Sequence, residues 1–141
     1  MSDAKVMRVQ EVRIESELAR LRKLIDGHSA GSDALPLAVQ LTRLVGAWRR
    51  VLVVRERLVY RPRLESPDGS EALMAGTCRE QMKAVAERIE LHAQRWSSSA
   101  VIASDFAFFR DQSASLMVAI ETHFECDRSL LGDSAPSRIA A

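Results

Sequence analysis

The stretch Trp48-Arg-Arg-Val-Leu-Val-Val-Arg-Glu-Arg-Leu-Val-Tyr-Arg-Pro-Arg-Leu64 decides how this chain folds. Steps of three and four place Leu41, Leu44, Trp48, Val51, Arg55 and Val59 on one face of a helix, so an arginine stands where a core residue belongs. An unpaired guanidinium is costly in an apolar interior, and Arg55 therefore needs either a buried acid or a route to solvent. Two outcomes are open. Arg55 reaches Asp127, which lies on an apolar stripe at matching depth near the end of the last helix, or the stripe rotates, Arg55 snorkels outward and Val54 or Leu58 takes its place.

The same period divides the rest of the chain. A first helix is expected from about Lys5 to Ile25, striped by Val9 or Val12 and then Ile14, Leu18, Leu21 and Ile25, and ending in the Gly/Ser-rich segment Asp26–Asp33. The second starts near Asp33, with Pro36 in its first turn, and is expected to stop at about Tyr60 because Pro62 disfavours helix at Arg61. The turn Ser66-Pro-Asp-Gly-Ser70 leads to a third helix from about Glu71 to Trp96, striped by Met74, Cys78, Met82, Val85, Ile89, His92 and Trp96. Ser97-Ser-Ser-Ala breaks it. The fourth, capped by Ser104 or Asp105, carries Phe106, Phe109, Leu116, Ile120, His123 or Phe124, Asp127 and Leu130 to a stop at Gly132. Met74, Met82, Met117 and the pair Phe108-Phe109 read as core material. Short connections between four such helices predict an all-α, up-down-up-down antiparallel four-helix bundle, a single domain over residues 1–132, with residues 133–141 a flexible tail.

Composition fits an ordinary globular domain: 141 residues, 47% hydrophobic, 28% charged and a net charge of +1, which gives the whole molecule no pull toward nucleic acid or an anionic membrane. Charge is segregated instead. Arg43, Arg49, Arg50, Arg55, Arg57, Arg61 and Arg63 crowd the second helix against Glu56 alone, while Asp105, Asp111, Glu121, Glu125, Asp127 and Asp133 outnumber Arg110 and Arg128 in the fourth, so the two segments are expected to pair. Cys78 and Cys126 lack metal or redox-motif spacing and are expected to be reduced. No apolar run approaches the ~20 residues that span a bilayer, and Met1-Ser-Asp-Ala-Lys5 has no apolar leader core, so a cytoplasmic protein without a membrane partner is expected.

The polar residues on the stripes are Arg55, His92, His123 and Asp127, with Glu15 or Ser16 in the first helix. A cation site needs several neutral histidines or carboxylates converging, and an arginine among them repels the ion. Neither a metal nor a cofactor is expected. No nucleophile-base-acid pattern and no phosphate-cradling glycine loop is present, Gly46 and Gly76 standing alone, so an enzyme is not expected. Arg43, Arg50, Arg57 and Arg61 line one edge that would suit an acidic protein or other anionic partner rather than nucleic acid, and apolar surface near Trp48 or Trp96 would suit a homodimer.

Val51-Leu-Val-Val-Arg-Glu-Arg-Leu-Val-Tyr60 and its sequel Arg-Pro-Arg-Leu64 resemble the second-helix signature of hemerythrin-like (HHE cation-binding) domains, and Thr122-His-Phe-Glu-Cys-Asp-Arg-Ser-Leu-Leu131 is similar to that signature's second copy. The resemblance covers about Val9 to Leu131 and implies a four-helix bundle holding non-haem di-iron. Anchored on Tyr60, however, the family's ligand positions fall on Val51 and Arg55, or on Leu52 and Glu56 if anchored on Pro62. In the fourth helix they fall on Thr122 and Cys126, beside Asp127, in the first near Glu15 or Ser16, and the third-helix histidines find no match between Arg79 and Met82. The resemblance thus implies a non-catalytic binding or regulatory module that has lost its di-iron site. The alternative is an iron protein with an unusual ligand set drawn from Glu56, His92, His123, Cys126 and Asp127.

Overall fold

A computed structural model describes residues 3–132, and the expected tail at 133–141 lies outside them. All regular structure among the described residues is helical: α1 (Asp3–Asp26), α2 (Leu35–Arg55) continued by a π-helical segment (Glu56–Tyr60) and α3 (Arg61–Leu64), then α4 (Gly69–Arg95), α5 (Ser99–Ser104) and α6 (Phe106–Leu131). Helix α1 packs on α2, α2 on α4, α4 on α6 and α6 back on α1. Their inward stripes, including Leu18, Leu21, Leu44, Trp48, Met82, Ile89, Ile120 and Phe124, share one apolar core. The expected Ser104 or Asp105 side-chain cap of α6 is not made, Ser104 bonding the Val101 carbonyl instead, but two other helix ends are capped. The Asp68 carboxylate accepts from the Ser70 and Glu71 amides at 3.0 and 3.4 Å to start α4, and Gly132 stops α6 at φ 75°, a left-handed conformation that a Cβ would strain.

Four local expectations are corrected. In α1, Val9 and Val12 are half exposed, and the stripe begins instead with Met7 and Glu11, two turns and one turn ahead of Ile14. In α4, Met74 is exposed and the small Ala75 next to it is buried instead. In α6, Phe109 is fully buried while Phe108 lies at the surface. The segment after Ser98 is not merely a break: it forms the short α5, whose Ile102 is completely buried and anchors the turn to the core.

The second helix does not stop at Tyr60. It runs through Pro62 to Leu64, and the widened turn explains how. The Arg61 amide donates to the Glu56 carbonyl five residues back, so one extra residue is wound into the turn directly before the proline. Pro62 then falls at the start of α3, a position that tolerates a missing N–H. The extra residue also changes which side chains face inward, since Val51, Arg55, Val59 and Tyr60 are all buried, the last two as neighbours. A 3.6-residue count from Arg55 turns Tyr60 away from that face, and the wider turn brings it back.

Among the described residues the expected pairing of α2 with the acids of α6 holds only for Arg55. Arg43 reaches Glu17 of α1 at 3.4 Å, Arg49 grips Glu90 of α4 with two bonds of 2.8 and 3.0 Å, and Arg63 lies 3.9 Å from Glu71 of α4. The reason is adjacency: α1 and α4 are the packed neighbours of α2, so an outward-facing arginine meets their edges first.

Candidate functional site

Arg55 has no exposed surface, and its Nη1 donates to Asp127 Oδ2 across the interior. The inward outcome of the two open readings is the one realised. Helix α2 supplies the guanidinium at the end of its stripe, the π turn supplies Tyr60, and α6 supplies His123 and Asp127 one turn apart on its buried face. Both Asp127 oxygens are engaged. Tyr60 Oη donates to Oδ1 at 2.7 Å, and His123 Nε2 lies 3.1 Å from Oδ2 and 3.3 Å from the Tyr60 oxygen. His123 Nδ1 meets Gln81 Oε1 of α4 at 3.0 Å, which orients the imidazole. Burial, and then the Asp127 charge, push the Tyr60 phenol above its ordinary pKa of 10, so it remains a donor through the working pH range.

A second acid completes the cluster. Glu11 of α1 is 3% exposed, and its Oε2 accepts from Arg128 Nη2 and Nε at 2.9 and 3.2 Å while Oε1 stands 3.8 Å from Arg55 Nη2. Arg55 therefore sits between two carboxylates, with its guanidinium 5.1 Å over the Phe124 ring. Its Nε and Nη2 make no hydrogen bond among the described residues, so part of the group's donor capacity is unused. Sequence reasoning missed Glu11 because Val9 and Val12 drew the stripe to the wrong phase. The signal was present, since Met7, Glu11, Ile14 and Leu18 follow steps of four, three and four. Of the residues named instead, Glu15 is half-buried and lies 3.6 Å from Arg128, and Ser16 is exposed.

Cys78 of α4 and Cys126 of α6 form a disulfide, with their Cα atoms 6.1 Å apart, which overturns the expectation of two reduced thiols. Both lie where these packed helices face each other, a proximity that sequence spacing does not carry. The bridge ties α6 to α4 at the residue beside Asp127, and it also removes Cys126 from the alternative ligand set. The other members of that set are scattered. Glu56 is held near the surface by Arg79 at 2.7 and 3.0 Å, His92 lies far along α4, and only His123 and Asp127 adjoin. Val51, one of the resemblance-implied positions, is buried apolar core, and Thr122 is exposed with its hydroxyl bonded to the Val118 carbonyl at 2.9 Å. Among the described residues no three histidine, cysteine or acidic side chains are grouped as a cation site would need. No protein-family model matches this chain, and no curated protein or solved structure does.

A second polar region lies along α4 and α6, about 20 Å of helix from the first. His92 Nε2 lies 2.9 Å from the buried Ser113 hydroxyl, and the imidazole stacks on Phe109 with centroids 5.8 Å apart. Burial, followed by the charges of Arg88 and Arg95, lowers the His92 pKa from 6.5 to about 4, so it is neutral near pH 7. Trp48 and Trp96 are themselves buried; Phe108, edge-on to Trp96 with ring centroids 6.0 Å apart, is exposed, as are Val53 of α2 and Leu91 of α4. On the arginine edge, Arg43 and Arg61 have carboxylates at 3.4 and 3.9 Å, whereas Arg50 and Arg57 are exposed with no ion pair among the described residues. No helix among the described residues is long and apolar enough to cross a membrane.

Proposed function

We propose that this chain is a non-catalytic binding or regulatory module, folded as an up-down-up-down antiparallel four-helix bundle of hemerythrin-like kind, in which an ion pair fills the space that the resemblance gives to iron. The observation that carries this reading is Arg55, fully buried at an implied ligand position and bonded to Asp127. A guanidinium is charged at every accessible pH, cannot ligate a cation and repels one. Asp127, the nearest acid, has both oxygens committed to Arg55, Tyr60 and His123. The exposed Arg50 and Arg57, flanked by Arg43 and Arg61, form the edge to which an acidic partner would bind, and Val53 and Leu91 offer apolar area to a second copy.

The module is placed in the cytoplasm, where the Cys78–Cys126 bond would be reduced, since such bonds persist mainly in oxidising compartments. Trapping free thiols in intact cells separates the reduced from the bonded state. The test of the module itself is metal analysis with an absorption spectrum after expression in iron-supplemented medium. The expected result is no stoichiometric iron or zinc and no visible band. One or two iron atoms per chain, retained through gel filtration, would overturn it.

A further inference from the structure

A cleft of about 260 Å³ opens between α4 and α6 beside His92, bordered by Arg88, Arg95, Gln112 and Ser115. Its polar lining consists of donors, or of groups that can act as donors, and no carboxylate is among them. Arg88 Nη2 donates to Ser115 Oγ at 3.2 Å, which draws one guanidinium across the cleft toward α6. The Arg95 guanidinium lies 4.6 Å over the Phe108 ring and 5.3 Å over Trp96, an arrangement that holds a long side chain in place and leaves its N–H edge available. Trp96 Nε1, which can only donate, bonds to Gln112 Oε1 at 3.1 Å. That bond fixes the amide's orientation, so Gln112 presents its Nε2 hydrogens rather than its oxygen. Neither Arg88 nor Arg95 has an acidic partner among the described residues.

We infer that this cleft is a binding site for a small organic oxyanion, a phosphate or carboxylate group held between Arg88 and Arg95, with Gln112 as an additional donor and Leu91 and Leu116 against its apolar body. The protein part of the site is preorganised by the Trp96–Gln112 bond and the ring contacts to Arg95, so little side-chain freedom is lost on binding. A bound anion also offsets the repulsion that the two arginines exert on a protonated His92. The groups facing that imidazole are Arg88 and Arg95 from its own helix and Phe109 and Ser113 from α6, none of them an acid. This inference concerns a region remote from Arg55 and does not depend on whether the bundle binds metal.

The experiment is an NMR titration of the full chain at low ionic strength with phenyl phosphate, benzoate and, as the uncharged probe, phenol. Saturable shifts at Arg88, His92 and Gln112 with phenyl phosphate or benzoate, weakened at least tenfold by the substitution Arg95→Gln and unchanged by Arg13→Gln on the exposed face of α1, are expected. Tighter phenyl phosphate assigns a phosphate ligand, and tighter benzoate a carboxylate. Absence of saturable shifts with both anions, equal losses in the two variants, or phenol binding as tightly as the anions would each overturn the inference.

Discussion

Arg55 and His92 are two basic side chains buried in the same helical frame, and the protein accommodates them in opposite ways. Arginine cannot discharge itself, so the fold brings Asp127 and Glu11 to it and closes the neighbouring valences with Tyr60 and His123. Histidine can discharge itself, and His92 does so, resting neutral against a serine hydroxyl with no acid nearby. The comparison teaches that a polar residue on an apolar stripe does not by itself announce a site. What distinguishes the two is whether the charge can be given up, and hence whether the rest of the core must be built around it.

The difference is sharpest when a partner is removed. Asp127→Asn leaves Arg55 charged and buried with one distant carboxylate, and should lower unfolding stability by about 3–5 kcal/mol in urea titrations, the range for breaking a buried pair. Reducing the Cys78–Cys126 bond frees α6 from α4 beside that pair. For a bridge spanning 48 residues the chain-entropy account gives up to about 4 kcal/mol, and a fall in midpoint on adding a thiol reductant checks it. At His92 the effect appears only in acid. Its folded pKa lies below the unfolded value, so the unfolded state takes up the proton first. The stability this group contributes is complete above about pH 6.5 and is lost as pH falls toward 4. His92→Gln should flatten that acid limb by at most about 3 kcal/mol, measured as the difference in unfolding free energy between pH 7 and pH 4. Arg49→Ala, which removes a two-bond but exposed pair with Glu90, should cost less than about 1 kcal/mol and lose even that in high salt.

The all-helical frame was legible because each long helix carries a 3.6-residue stripe and ends in glycine, proline or a capping acid. The Arg55–Asp127 contact was legible only as one of two outcomes, because the stripe placed both charges inward but did not exclude a rotation that sends Arg55 to solvent. What was hidden depends on geometry between elements or within a single turn. The π turn at Glu56–Tyr60 leaves no periodic signature in five residues, yet it is what puts Tyr60 against Asp127. The disulfide needs α4 and α6 to be placed before its two cysteines can be seen to meet. Glu11 was masked by two valines that offered an equally good stripe in the wrong phase.

The central claim is that Arg55 and Asp127 act as one buried unit, and a double-mutant cycle of Arg55→Met and Asp127→Asn followed by chemical denaturation tests it directly. Each single change should destabilise by about 3–5 kcal/mol, while the double variant, which buries no charge at this position, should lie within about 2 kcal/mol of the parent, leaving a large coupling energy. Small single effects that simply add in the double variant would contradict it.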